Sequence, residues 1–250
     1  ILLSIFFKLS KDRLGDYADV LEYIQLGSAP LSEEDKEHLA RILPRTRLYN
    51  FYGSTESGCS SILDFQRDQG RPNCVGRPTV NSTFLFVDES RKEIHAAPDN
   101  PGLIATAGPM NMKESLNSPK LTAEVSANGY IFTNDLGYQD DEGYIYCLGR
   151  KDDVINCGGI KISPDEIETE ARRHPFIKDC ACVPVPDPMQ GQAPKLFITL
   201  AVDEKEYDAA AFRAFLKKNL DGNKVPKKYE IIGEIPRTSN GKIQRKKLMQ

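Results

Sequence analysis

Glu22-Tyr23-Ile24-Gln25-Leu26-Gly27-Ser28-Ala29-Pro30-Leu31-Ser32 reads as a short strand, a loop of small residues and a helix cap in immediate succession. Ser32 suits an N-cap, and behind it Leu39, Ile42 and Leu43 share one helical face. Arg47 to Phe51 then supplies a second strand. Strand, helix and strand joined by short loops imply a right-handed crossover with parallel neighbours. The loops Gly27 to Pro30 and Tyr52 to Glu56 would then leave the carboxyl ends of adjacent parallel strands, where open α/β sheets bind their ligands.

Further along, the pattern changes. Between Cys74 and Leu148 short runs such as Thr83 to Val87, Leu103 to Ala105 and Tyr144 to Leu148 alternate with Gly, Pro, Asn and Asp turns, which predicts a small antiparallel or barrel-like subdomain. Beyond Arg150 a new unit begins: Val154 to Ile162 as strand, then Ser163 as cap, Pro164 at the first helical position and Glu166 completing a capping box. Cys180 to Val185, Leu196 to Val202 and Tyr229 to Ile235 read as strands. Asp208 to Leu220 reads as a helix with Phe212, Phe215, Leu216 and Leu220 inward. The expected class is α/β plus α+β: a partial parallel βαβ sheet (about 1–73), the antiparallel or barrel-like part (about 74–149) and a compact α+β domain over 150–250.

The 250 residues can bury a sizeable core, and the net charge of −3 gives no basis for a nucleic-acid partner. Six cysteines lie without a CxxC pair or a histidine at zinc spacing, so a metal knuckle or disulfide framework is not expected and a reduced, cytoplasmic setting is. The apolar opening Ile1 to Phe7 is too short to span a bilayer, and its lysines follow rather than precede it. It reads as interior sequence.

Near the carboxyl end, Pro236-Arg237-Thr238-Ser239-Asn240-Gly241-Lys242-Ile243 carries a lysine on a glycine turn. Pro236 and Ile243 occupy the places where a Walker phosphate loop needs Gly and Ser or Thr. A point charge on a flexible stem suits an anion gripped at one step and released at another; a solvated surface lysine is the alternative. Residues 224–250 hold eight Lys or Arg against two Glu, a field favourable to phosphates or simply a solvated face.

Four segments in register, Tyr52-Gly53-Ser54-Thr55-Glu56, Phe132-Thr133-Asn134-Asp135, Gly149-Arg150-Lys151-Asp152-Asp153 with Gly158-Gly159-Ile160-Lys161, and Lys242 in its turn, resemble the ATP-dependent adenylate-forming ligases: acyl-CoA synthetases, firefly luciferase and peptide-synthetase adenylation domains. The likeness runs from about Leu26 to Leu248. It implies that residues 1–149 are the carboxyl-terminal part of a large AMP-binding domain, that 150–250 form a mobile domain, and that the family's phosphate loop lies upstream, outside this chain.

The resemblance also implies roles. Tyr52 stacks on adenine, Thr55 bonds phosphate and Glu56 holds Mg²⁺, while Asn50 reads the adenine amino group. Gly27, Ser28 and Ala29 let adenine approach the backbone, with Gly53 in the neighbouring loop. Asp135 accepts the ribose hydroxyls, although Asn134 stands where the family more often has glycine; asparagine tolerates the left-handed backbone. Arg150 anchors ribose or phosphate, Asp152 is the hinge, and Gly158 and Gly159 let a pantetheine arm pass. Lys242 bridges the substrate carboxylate and the transferring phosphate.

The implied activity is that of an AMP-forming carboxylate–CoA ligase using ATP, Mg²⁺ and coenzyme A, with fatty acid metabolism as its setting. An adenylating enzyme that loads a carrier protein, and a non-catalytic module on the same scaffold, are the alternatives. A serine hydrolase is disfavoured, because there is no Gly-x-Ser-x-Gly elbow and His38, His95 and His174 lack triad context. The small residues Ser57 to Ser61 are read as room for an acyl chain. The acid itself is not legible.

Overall fold

The computed structural model describes residues 13–27, 31–238 and 241–249. The expected loop residues Ser28, Ala29 and Pro30, the opening apolar run, and Ser239 and Asn240 lie outside the described residues. The chain divides into two compact units between Cys147 and Leu148.

The first unit opens with β1 (Tyr23–Leu26), α1 (Glu33–Ile42) and β2 (Arg47–Ser54), and β1 and β2 pair in parallel with Leu26 opposite Asn50. Ser32 caps α1 as expected: its hydroxyl accepts from the Asp35 N–H at 3.1 Å. Leu39 and Leu43 are fully buried against Leu48, Leu63 and Phe65. Then follow β3 (Gly58–Asp64), β4 (Cys74–Pro78), β5 (Thr83–Val87), β6 (Gly102–Ala107), α2 (Pro119–Val125), β7 (Ser126–Ala127), β8 (Tyr130–Gln139) and β9 (Ile145–Arg150), which runs across the division between the units.

The parallel part and the antiparallel part are not separate bodies. Among the described residues they form one open nine-stranded sheet in the order β1-β2-β3-β4-β9-β8-β6-β5, with β7 beside β8. Only β1 and β2 run parallel in this sheet, and no barrel closes. The reason is β4, which pairs with β3 on one side and β9 on the other, so the turn-rich strands extend the existing sheet instead of curling on themselves. At Gly76 a Cβ would lie 1.9 Å from the Ile62 carbonyl oxygen, so this junction requires glycine.

The second unit contains β10 (Ile155–Cys157), β11 (Ile160–Ile162), α3 (Pro164–Arg172), β12 (Ile177–Asp187), β13 (Gly191–Leu200), α4 (Ala209–Asn219) and β14 (Lys228–Ile231). Its five-stranded sheet runs β11-β10-β13-β12, and β14 joins β13 in parallel. One face carries Cys180, Cys182, Leu196 and Ile198 against Ile167 and Ala171 of α3 and Phe212 and Leu216 of α4. The alternate residues Ala181, Val183 and Phe197 face Ile235, Ile243 and Leu248, so the end of the chain covers the other side.

Two sequence readings need correction here. The expected single strand from Val154 to Ile162 is a hairpin, because Gly158 and Gly159 both adopt positive φ (61° and 94°) and form its two-residue turn. Ser163 does cap α3 with Pro164 behind it, but its hydroxyl is buried without a partner among the described residues, and Glu166 bonds Lys224 at 2.8 Å instead of closing a capping box.

Candidate functional site

β2 continues through Tyr52 and Gly53 to Ser54, so those residues belong to a strand and the loop is only Thr55 to Ser57. The expected parallel-strand loop is instead the tip of an antiparallel hairpin with β3. Gly53 is required by close approach, since a Cβ there would meet the Gly58 carbonyl oxygen at 1.7 Å. Ser54 and Ser57 lock the tip: the Ser54 and Glu56 N–H groups donate to Ser57 Oγ (3.1 Å) and Ser54 Oγ (3.2 Å), respectively. Thr55 is exposed, and the Glu56 carbonyl accepts from the Met112 N–H at 2.6 Å, which ties this tip to the loop after β6. Ser57, Ser60 and Ser61 are buried with committed hydroxyls, Ser61 donating to the Val75 carbonyl at 2.8 Å.

A bulge in β3 between the Tyr52–Ser61 and Gly53–Cys59 pairs is matched by a larger one in β8, where Thr133, Asn134 and Asp135 stand opposite the single Ile104. Asn134 makes the second bulge possible by taking φ 63°, in agreement with the tolerance expected of asparagine there. The outcome is a contact between distant segments: the Tyr52 phenol donates to Asp135 Oδ2 at 2.8 Å, and Thr133 Oγ1 lies 3.5 Å from the same phenol oxygen. Thr133 donates to the Ile104 carbonyl at 3.0 Å and accepts from the Asp135 N–H at 3.2 Å, so it fixes the bulge. Burial pushes the Tyr52 phenol well above its ordinary pKa, with the neighbouring Cys147 and Asp135 adding to the rise, and the group remains a donor.

Strand alternation puts Asn50 on the same face of β2 as Tyr52. Asn50 is 7% exposed, and its Oδ1 is buried with no hydrogen-bond partner among the described residues. An unfilled buried carbonyl is costly in a folded protein and calls for a donor. Gly27 follows the residue paired with Asn50, and a Cβ on it would stand 3.3 Å from the Phe51 carbonyl oxygen.

The second unit carries the remaining expected residues. Arg150 and Asp152 are exposed, and the Arg150 carbonyl accepts from the Asp153 and Val154 N–H groups in a tight turn. The Gly158–Gly159 turn is held to the β12–β13 turn by the Gly158 N–H donating to the Gln190 carbonyl at 2.8 Å. Lys242 is exposed, and among the described residues its amine has no hydrogen-bond or ion-pair partner. Its backbone is held: Thr238 N–H donates to the Lys242 carbonyl at 2.9 Å, and Lys242 N–H donates to Thr238 Oγ1 at 3.0 Å.

Sequence reading missed Thr133 as the brace of the bulge, and it missed a buried ionic cluster three residues beyond Lys242. There Arg245, 9% exposed, donates to Glu168 Oε1 at 2.5 Å and Asp165 Oδ1 at 2.6 Å, and lies 3.8 Å from Asp153 Oδ2. Burial raises the Glu168 carboxyl to about 7, opposed by Arg245 and the Cys182 N–H. Among the eight Lys and Arg of residues 224–250, nothing in the sequence sets Arg245 apart. His174, packed edge-on against Phe176, Phe212 and Phe215, is a core histidine whose pKa burial lowers. All six cysteines are free thiols. Among the described residues no three His, Cys, Asp or Glu converge as a metal cage, so Glu56 offers a single carboxylate, which suits a cation that keeps waters and substrate phosphates as ligands.

A β1–α1–β2 unit extended into a mixed sheet, followed by a second α+β unit that carries an exposed lysine, defines a two-unit α/β protein. Two family descriptions match it: AMP-binding enzyme over residues 3–116 and AMP-binding enzyme C-terminal domain over 166–242. The chain belongs to the adenylate-forming, AMP-binding enzyme superfamily. It is 35% identical over 224 residues to a long-chain-fatty-acid–CoA ligase of Bacillus subtilis (strain 168), covering 90% of this chain and 40% of the relative. A 2-succinylbenzoate–CoA ligase of Staphylococcus aureus (strain JH9) is 37% identical over 231 residues, 91% of this chain and 44% of the relative. The fold superimposes on o-succinylbenzoate CoA synthetase (MenE) from Bacillus subtilis, solved with the acyl-adenylate intermediate OSB-AMP, with TM-score 0.80, 25% identity and coverage of 91% of this chain and 46% of that one. The same enzyme solved with ATP and magnesium ion gives TM-score 0.78, again at 25% identity, over 94% and 49% of the two chains. The chain thus spans less than half the length of these relatives.

Proposed function

We propose that the protein carrying this chain is an AMP-forming carboxylate–CoA ligase, which joins a carboxylic acid to AMP and passes the acyl group to the CoA thiol. The observation that carries the reading is the buried, partnerless Asn50 Oδ1 beside the Tyr52–Asp135 pair. An exocyclic amino group of adenine supplies the donor that this oxygen lacks. Gly27 lets the base approach the backbone, the Tyr52 ring gives it a flat apolar face, and Asp135 is the acceptor for ribose hydroxyls.

Both reactants of the first step are anions, so the protein's task is charge neutralisation and alignment. Thr55 bonds a phosphate oxygen, Gly53 keeps the strand close beneath it, and Lys242 offsets repulsion between the acid's carboxylate and the α-phosphate as pyrophosphate leaves. Magnesium, held by Glu56, supplies further positive charge at the phosphates when bound. Arg150 steadies the nucleotide. Residues 150–250 act as a mobile domain turning about Asp152, so that Lys242 serves the first step and the Gly158–Gly159 turn serves the thiol in the second. A glycine turn with φ above zero presents bare backbone to a passing pantetheine arm.

The six free thiols fit a reduced, cytoplasmic setting. No described helix is long and apolar enough to cross a membrane. The test is acid-dependent ATP–pyrophosphate exchange by the full-length protein across a panel of aliphatic and aromatic acids, followed by product analysis with CoA and with a carrier protein. Exchange with no acid refutes the reading. Acyl transfer to the carrier alone favours the carrier-loading alternative, and adenylate formation with no acyl acceptor rejects both acceptors.

A further inference from the structure

Lys242 stands between two arginines that face in different directions. Arg237, part-exposed, makes a bidentate pair with Asp179 of β12 (2.8 and 2.9 Å) and donates to the Gly241 carbonyl at 2.8 Å. Pairs of this exposure contribute little. Arg245 is a different case. Its guanidinium is buried and reaches three carboxylates that belong to two separate segments: Asp165 and Glu168 on the first turns of α3, and Asp153 in the segment that opens the second unit. Glu168 Oε1 also accepts from the Cys182 N–H at 2.7 Å, so the same cluster grips β12. On either side of Arg245, Ile243 and Leu248 pack on Ala181, Val183 and Phe197.

The segment after the lysine is therefore nailed down at three points, while the lysine amine itself remains exposed. Asp153 follows the expected hinge residue Asp152 directly. Through Arg245 the start of the unit, α3, β12 and the Lys242 turn are joined by direct contacts.

We infer that Arg245 is the positioning residue for Lys242: by clamping Asp153, Asp165 and Glu168 it fixes where the lysine arrives when the second unit swings about the hinge. The inference rests on the reading that Lys242 acts in adenylate formation. A misplacement of about 1 Å in a charge-stabilising group costs up to about 100-fold in rate. The Gly158–Gly159 turn is held by other contacts, to Gln190 and Asn156, and does not depend on this clamp.

The test separates the two half-reactions in the full-length protein. Arg245→Met leaves Glu168 buried without its partner and can unfold the unit, so Arg245→Met with Glu168→Gln is made beside it to remove that unpaired charge. For the folded double variant the expected result is pyrophosphate exchange slowed about 10- to 100-fold in kcat. KM for ATP and acid should be unmoved, and thioester formation from supplied acyl-adenylate unaffected. Unchanged exchange, or an equal fall in both half-reactions, overturns the inference, because a general loosening of the unit harms both. Lys242→Ala is run in parallel. If it spares exchange, the proposed role of the lysine fails; if it abolishes exchange while the double variant does not, only the role of Arg245 fails.

Discussion

Glu168→Gln should stabilise this protein above neutral pH, although the wild-type carboxylate lies in a close ion pair with Arg245. Glu168 is 1% exposed and its carboxyl is raised from 4.5 to about 7, chiefly by burial. Arg245, Arg172 and the Cys182 N–H favour the charged form, Asp165 opposes it, and removal from water outweighs the attraction. A carboxyl raised in the folded state contributes stability that is fully present below pH 4.5 and is lost as pH climbs through about 7. At about 1.4 kcal/mol per tenfold change in ionisation, the loss amounts to about 3 kcal/mol.

Geometry makes the amide a fair replacement. Both short bonds, from Arg245 Nη1 and the Cys182 N–H, fall on the same oxygen, Oε1, which a glutamine carbonyl can occupy. Arg245 keeps Asp165 and Asp153. Urea unfolding of wild type and variant at pH 5 and pH 8, followed by far-UV circular dichroism because the chain has no tryptophan, gives the comparison. Exchange protection of the Cys182 amide localises it. The two proteins should be about equally stable at pH 5, with the variant ahead by about 3 kcal/mol at pH 8. A variant that is less stable at pH 8, by a margin that widens with pH, would show that pairing with Arg245 exceeds the desolvation cost.

Lys242→Ala should slow adenylate formation by two to three orders of magnitude, as loss of a charge-stabilising donor does, while sparing thioester formation from supplied acyl-adenylate; single-turnover assays of each half-reaction check this. Tyr52→Phe removes the donor to Asp135 and should weaken nucleotide binding with little change in kcat, at about 1 kcal/mol of stability, read by ATP titration and thermal melting. Asn134→Gly should be tolerated, whereas Asn134→Val, forced to φ 63°, should cost about 1–3 kcal/mol and impair nucleotide binding through a misplaced Asp135.

Local signals were strong wherever one short window held the cause. Ser32 ahead of a helical face specified α1, Asp208 specified α4, and the alternating runs at Thr83 to Val87 and Tyr144 to Leu148 specified β5 and β9. The motif residues Tyr52, Asp135 and Lys242 stand out in the sequence because each type suits one chemical task. Windows failed where a turn inside them went unread or where partners came from afar. A reading of Val154 to Ile162 weighed β propensity over the turn that two glycines at positive φ impose. Ser163 had the right neighbours for a capping box, but Glu166 found Lys224, 58 residues away.

What residue order alone settled was the family and the set of side chains with chemistry to offer, since cap, turn and motif signals depend on neighbours along the chain. What only folding decided was who meets whom. The pairing of Tyr52 with Asp135 across 83 positions needed a bulge in each of two strands, and the burial of Arg245 among Asp153, Asp165 and Glu168 joined three distant segments. Such contacts depend on strand register and on the loss of water from a closed core, and neither is written in any local stretch of residues.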